Sequence, residues 1–220
     1  NAFGYEALAA NTTGASNNAF GKSALDANTT GGQNTAMGHN TLGSNTTASN
    51  NTGIGYQVLA VNTTGHSNTA VGSGALDANT TANYNTAVGS DALTANTTGT
   101  KNTGIGYEAL EATTTGSYNT TVGSNSLKAN TTGVSNNALG QSALASNTTG
   151  SNNVAIGLDA LAVQQTANDN TAVGYFALKA NTTGQHNVGV GNSALGANTT
   201  ASANTAVGYL AAASNTTGSA

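Results

Sequence analysis

Residues 170–186 read NTAVGYFALKANTTGQH, and this 17-residue stretch is one copy of a unit that fills the chain. With its asparagine as position one, position five is glycine in all thirteen copies, from Gly4 to Gly208, without insertion or deletion. Such a period is typical of solenoids, whose repeats pack only on their neighbours. The sequence predicts a repeat solenoid over 1–220, one uninterrupted array. Because no copy departs from the unit as a capping repeat would, we expect a window of a longer array.

The segment at positions one to four alternates polar and apolar residues as a short strand does. Stacking one such strand per unit, in register, predicts a mainly β fold: a parallel β-solenoid, or β-roll, of thirteen 17-residue coils. Glycine at position five then permits a turn with positive φ. Positions seven to eleven leave two alternatives open. Variable residues three apart favour a helical turn, whereas the 8–10 Å spacing of packed helices favours a second short strand.

Two positions are predicted to form the core. Position four is large and apolar in every copy, from Phe3 to Val207, and position nine is leucine in all copies except at Ala212. Position three is only Ala, Gly or Thr. We interpret that small face as the close approach of another copy of the chain, as in a trimer. The alternative is that these alanines face inward in a coil of different shape.

Composition excludes several classes of function. The chain holds 33 asparagines and 38 threonines but only twelve charged residues and no cysteine. Without a basic face it has no surface for nucleic acid, and no apolar run approaches the ~20 residues of a membrane-inserted helix. Its histidines and acidic residues are scattered, so we expect no metal, no cofactor, no catalytic residues and no enzyme activity. Any secretion signal would lie outside this segment.

Asparagine forms two regular series. At position one it is present in all twelve copies, which predicts a ladder of stacked amides. At position twelve it begins an N-T-T sequence, which fits the acceptor pattern for N-glycosylation; a structural ladder is the alternative. The candidate glycosylation residues are Asn11, Asn28, Asn45, Asn62, Asn79, Asn96, Asn130, Asn147, Asn181, Asn198 and Asn215.

Threonine at position fourteen completes a predicted surface array. A β-branched residue suits a stacked turn in any case, while O-linked sugar, ice or carbohydrate contact are functional alternatives. We expect the Asn-Thr-Thr turns to be the exposed, functional face. The threonines are Thr13, Thr30, Thr47, Thr64, Thr81, Thr98, Thr115, Thr132, Thr149, Thr166, Thr183, Thr200 and Thr217.

The unit resembles two kinds of known repeat. Variants such as NVAIG at residues 153–157 resemble the shorter head repeats of YadA-like trimeric autotransporter adhesins, which form a left-handed parallel β-roll in a trimer. The complete unit, over all 220 residues, is similar to the NTAVGYxAL arrays of bacterial surface and phage tail-fibre proteins. The added ALxANTTG segment is a departure from the YadA-like pattern.

Together these features predict a non-enzymatic structural rod in an extracellular fibre, filament or adhesin stalk, located outside the cell, on its surface or in a virion fibre. The expected partners are further copies of the chain, as a trimer or filament, with glycan, a host surface or ice as possible ligands. The alternative function is a binding module that presents the Asn and Thr array to ice or carbohydrate.

Overall fold

A computed structural model describes residues 1–218, in which thirteen short strands and no helix occur. The described part of the chain therefore offers no helix that could span a membrane. Each 17-residue coil carries one strand. The strands are β1 (Ala2–Phe3), β2 (Asn18–Phe20), β3 (Thr35–Met37), β4 (Thr52–Ile54), β5 (Thr69–Val71), β6 (Thr86–Val88), β7 (Thr103–Ile105), β8 (Thr120–Val122), β9 (Asn137–Leu139), β10 (Val154–Ile156), β11 (Thr171–Val173), β12 (Val188–Val190) and β13 (Thr205–Val207).

The coils form two compact units, Asn1–Thr115 with β1–β7 and Gly116–Ala220 with β8–β13. Within each unit every strand pairs in parallel with the strand of the next coil, in chain order. The register is constant, since each residue pairs with the residue 17 positions later, as Val71 does with Val88. The predicted parallel β-solenoid is confirmed.

Position five ends each strand in a conformation that requires glycine. Gly89 has φ 138°, and a β-carbon placed on it would lie 2.3 Å from the Gly106 carbonyl oxygen of the next coil. An L-residue would meet both a disfavoured backbone angle and a steric clash. The predicted glycine turn is confirmed, and the clash shows that the coils also touch there.

Positions six to eleven form neither a second strand nor a helical turn. Residues at positions seven and nine are left-handed, as at Asp91 (φ 57°) and Leu93 (φ 54°). A right-handed helix cannot contain them, so the helical alternative is wrong. The segment still bonds to neighbouring coils: the Leu93 N–H donates to the Ala109 carbonyl at 3.0 Å, and the Asp91 N–H donates to the Ser73 carbonyl at 2.9 Å.

The core lies at positions three, eight and nine. Ala87, Ala92 and Leu93 are fully buried, and every position-nine leucine from Leu25 to Leu195 is likewise inside. Position nine is therefore confirmed as core. Position four is not, because successive strand residues point to opposite faces and the coil interior is so thin that only the small residue at position three fits inward. The prediction of position four as core is wrong.

The position-three alanines face inward, so their small size no longer indicates the close approach of another copy of the chain. Ala87 and Ala172 are buried by their own coils. Their small size reflects the narrow interior, which was the alternative explanation, and not the approach of another backbone.

Candidate functional site

Asparagine at position one forms a buried row along each unit, and all twelve copies are buried. Asn68 shows the geometry. Its Oδ1 accepts a hydrogen bond from the Asn85 backbone N–H at 2.9 Å, and its Nδ2 donates to the Ala82 carbonyl at 2.8 Å. The side chain thus joins the turn of its own coil to the strand of the next one. The predicted position-one ladder is confirmed.

Position twelve forms a second buried row, in which the amides bond directly to each other. The Asn45 Nδ2 donates to the Asn28 Oδ1 at 2.9 Å and to the Ala48 carbonyl at 3.0 Å. Asn62 repeats both contacts in the following coil, at 3.0 Å to the Asn45 Oδ1 and 2.9 Å to the Gly65 carbonyl. Both amide hydrogens are used, so the orientation of the side chain is fixed.

The expectation that the position-twelve asparagines lie at the surface is wrong. Burial carries little cost here because the polar atoms find partners within the row. A glycosyl transferase would need the amide nitrogen, which in the folded coil is enclosed and has donated both hydrogens, so the geometry counts against N-linked sugar. Asn11 and Asn215 are half-buried, whereas the buried members are Asn28, Asn45, Asn62, Asn79, Asn96, Asn130, Asn147, Asn181 and Asn198.

The two threonine rows differ in exposure and bonding. At position thirteen the hydroxyl donates to the next coil, as from the Thr29 Oγ1 to the Thr46 carbonyl at 3.1 Å. Position fourteen is exposed in every coil. Apart from Thr115, the position-fourteen hydroxyls have no hydrogen-bond partner within residues 1–218. Of the predicted array, the surface part is therefore the threonine row Thr13, Thr30, Thr47, Thr64, Thr81, Thr98, Thr115, Thr132, Thr149, Thr166, Thr183, Thr200 and Thr217.

The position-fourteen threonines form a regular row on the surface of each unit. Comparisons with protein-family models, curated proteins and solved structures found no match.

Position four forms a fifth row, which lies on the surface and not in the predicted core. Phe20, Met37 and Leu139 are 44%, 45% and 50% exposed. One signal in the sequence distinguishes the two positions: position four accepts side chains from Val to Phe, whereas position three accepts nothing larger than Thr. A coil of constant shape has to hold constant volume inside, so the position that varies in size lies outside.

The titratable groups do not assemble into a site. His39 stacks on Tyr56 with ring centroids 5.5 Å apart, and the His186 Nδ1 lies 3.8 Å from the Asp169 Oδ2. Burial raises the pKa of the Asp77 carboxyl, and the nearby charge of Asp91 adds to the rise. Among residues 1–218 no three His, Asp or Glu side chains lie close enough to hold a metal ion.

A groove against the first coil is lined by uncharged side chains. Leu8, Asn11, Asn17 and Asn18 are among the residues around it. These are row residues of the kinds already described, without a nucleophile and base in contact.

Proposed function

We propose that the protein is a non-enzymatic structural rod, part of an extracellular fibre, filament or adhesin stalk. The observation that supports this most directly is the constant 17-residue register between coils. Every coil repeats the same strand pairing, and both asparagine rows continue through nearly all coils, with Thr113 and Gln164 as the departures at position twelve. A further coil therefore adds length without requiring a new kind of contact.

The use of the polar groups also supports a structural role. The side-chain amides of Asn68 and Asn45 donate hydrogen bonds to backbone and amide acceptors of their own or a neighbouring coil. Position-thirteen hydroxyls such as that of Thr63 do the same, at 3.1 Å to the Thr80 carbonyl. Polar side chains locked in this way stiffen the stack. They are not free to bind substrate.

The proposed location is outside the cell, on its surface or in a virion fibre. The likeness of the unit to arrays of bacterial surface and tail-fibre proteins favours this location. A chain with no cysteine to oxidise and a dense hydrogen-bonded stack suits exposure there. The proposed partners are further copies of the chain and, at the tip or along the sides, a host surface.

The length of the native fibre tests the structural role. Inserting twelve additional copies of residues 170–186, in register after residue 186, should lengthen each fibre by about 60 Å at ~4.8 Å per coil. Electron microscopy of the native material, with an antibody against the chain, measures this length. As the matched control, an insertion of similar size that is not a multiple of 17 residues should disrupt the stack. Fibre length independent of the number of whole repeats would contradict the proposal.

One observation favours a second function, a binding module for ice or carbohydrate. The position-fourteen hydroxyls are exposed and recur once per coil, and apart from that of Thr115 they have no hydrogen-bond partner within residues 1–218. Ice recrystallisation and glycan-array measurements test it, with Thr47→Tyr and Thr81→Tyr as the disrupting pair and Thr94→Tyr, at position ten, as the control. Loss of activity in the pair alone would support binding by this row. Absence of both activities from the unmodified chain would remove this function.

A further inference from the structure

Positions two and four of each strand point away from the coil interior and form what we call the outer sheet face. No position-four side chain is buried, and Phe20 and Leu139 are about half exposed. The row runs through Phe3, Phe20, Met37, Ile54, Val71, Val88 and Ile105 in one unit, and through Val122, Leu139, Ile156, Val173, Val190 and Val207 in the other.

The outer sheet face carries no charge. All twelve charged residues of the chain fall at positions six, seven, ten or seventeen, and none falls at positions two or four in any of the thirteen coils. Position two holds Thr, Asn or Val. The water-facing side of a sheet ordinarily carries polar and charged side chains, and charged residues keep such surfaces from associating. The exposed threonine row at position fourteen is also uncharged, but only the outer sheet face combines the absence of charge with a large apolar side chain in every coil. A continuous exposed apolar row of this kind is typical of a surface that is covered.

We propose that a second copy of this chain covers the outer sheet face. Two sheets pack face to face about 10 Å apart with their strands within about 30° of each other. Because two copies share the same coil spacing, a position-four side chain meets equivalent neighbours at each successive coil. A partner of different spacing would lose this match after a few coils.

The shape of the face is also self-complementary. Position four forms a ridge of Phe, Met, Ile, Leu and Val side chains, and position two beside it forms a lower row, mostly Thr. A two-fold axis between the copies sets each ridge above the lower row of the partner. Both copies then use the same patch, which is the isologous arrangement of a symmetric dimer.

The area of the face in one unit is that of a weak, reversible interface. In Asn1–Thr115 the seven strands at ~4.8 Å spacing give a face about 34 Å long, and strand positions two to four at ~3.3 Å per residue give a width of about 10 Å. This is roughly 340 Å² per copy, or about 700 Å² in total, at the low end of specific association. By itself, the unit Gly116–Ala220, with six strands, offers roughly 290 Å² per copy on the same measure.

Light scattering coupled to size exclusion tests the proposal on the full chain. The unmodified chain should run as a multiple of its 21.3 kDa mass. The double variant Ile54→Lys with Val88→Lys should fall to a single mass, because it places two charges in the apolar interface. Its matched control is Thr47→Lys with Thr81→Lys, which adds the same charge to the exposed threonine row and should leave the assembly intact. Circular dichroism checks that each variant keeps the fold.

Cross-linking of two single-cysteine variants gives a second measurement, which does not depend on a charged substitution. The described chain has no cysteine, so Val88→Cys supplies one thiol on the ridge and Thr98→Cys one on the threonine row. A short bis-maleimide should join two copies of the Val88→Cys variant and not of the Thr98→Cys variant. A cross-link confined to position 98 would place the interface elsewhere.

The position-four variant and its threonine-row control give different results depending on whether the outer sheet face is the interface. An assembly of any size that is lost in the position-four variant and kept in the control supports the proposal. A single 21.3 kDa mass for the unmodified chain up to about 100 μM, or an assembly unaffected by the position-four charges, overturns it. A monomeric chain could still act as a stalk, so this measurement and the fibre-length measurement fail independently.

Discussion

Gln164 takes the place of the asparagine that would bond to Asn147, and the Asn147 Oδ1 is buried without a hydrogen-bond partner. The Gln164 Nε2 donates to the Ala167 carbonyl at 2.9 Å, and its Oε1 accepts from the Asn181 amide at 3.2 Å. The longer side chain continues the row towards the following coil but not towards the preceding one. An unpaired buried acceptor costs about 1–3 kcal/mol.

Replacing this residue by the consensus asparagine should stabilise the protein. In Gln164→Asn the new amide can reach the Asn147 Oδ1, as the Asn147 amide reaches the Asn130 Oδ1 at 2.9 Å. We expect the free energy of unfolding to rise by about 1 kcal/mol and Tm to rise by about 2–4 °C. The control Gln165→Asn changes an exposed neighbour and should be neutral. Equal shifts in thermal unfolding would show that the row is not the cause.

Adjacent residues of one strand should respond in opposite ways to the same charge. Ala87→Asp places an unpaired carboxylate in the closed interior and should lower the free energy of unfolding by about 3 kcal/mol or more. Val88→Asp places it on the outer face and should cost no more than about 1 kcal/mol. Denaturant unfolding of dilute protein measures both. A larger loss of unfolding free energy for Val88→Asp than for Ala87→Asp would show that position four lies in the core.

The periodic part of the fold was predictable from the sequence. The glycine spacing predicts the coil length, and the NTAV pattern predicts the parallel strand, because both depend on residues that recur in every copy. The direction in which the strand faces was not predicted. Alternation along NTAV only separates Val from Ala, and hydrophobicity favours Val inward, whereas the narrow coil leaves room for Ala alone.

The candidate site was predictable only in part, for a related reason. The Asn-Thr-Thr turn reads as uniformly polar, which suggested uniform exposure. In the coil, the side chain of Asn45 turns inward to bond along its row while that of Thr47 turns outward. Which member of a polar turn is enclosed depends on contacts with residues 17 positions away, and these contacts are not visible within a single copy.

Glycine at position five should tolerate no side chain. Gly89→Ala combines φ 138° with a β-carbon 2.3 Å from the Gly106 carbonyl oxygen, so we expect a loss of about 3 kcal/mol or more from strain and overpacking. Gly32→Ala is the matched control. Its β-carbon would lie 3.1 Å from the nearest atom, and Ala15 already occupies that position one coil earlier. Comparable Tm losses in the two variants would contradict this account of the glycine period.

The Asp77 carboxyl should lower the free energy of unfolding as the pH rises. Burial raises the pKa of Asp77 above its ordinary value, and the negative charge of Asp91 raises it further. The unfolded chain then releases the proton first, at about pH 4, so the folded state is penalised progressively from there up to the raised pKa and uniformly above it.

Asp77→Asn removes this penalty and should make the protein more stable than the unmodified chain at pH 7, with the difference shrinking towards zero below about pH 4. Because the charge of Asp91 is the smaller of the two causes of the raised Asp77 pKa, Asp91→Asn should give a smaller gain over the same pH window while leaving the burial of Asp77 in place. Thermal unfolding from pH 3 to pH 7 measures all three proteins. A stability difference between Asp77→Asn and the unmodified chain that stays constant across this range would mean that loss of titration at Asp77 is not what stabilises the variant.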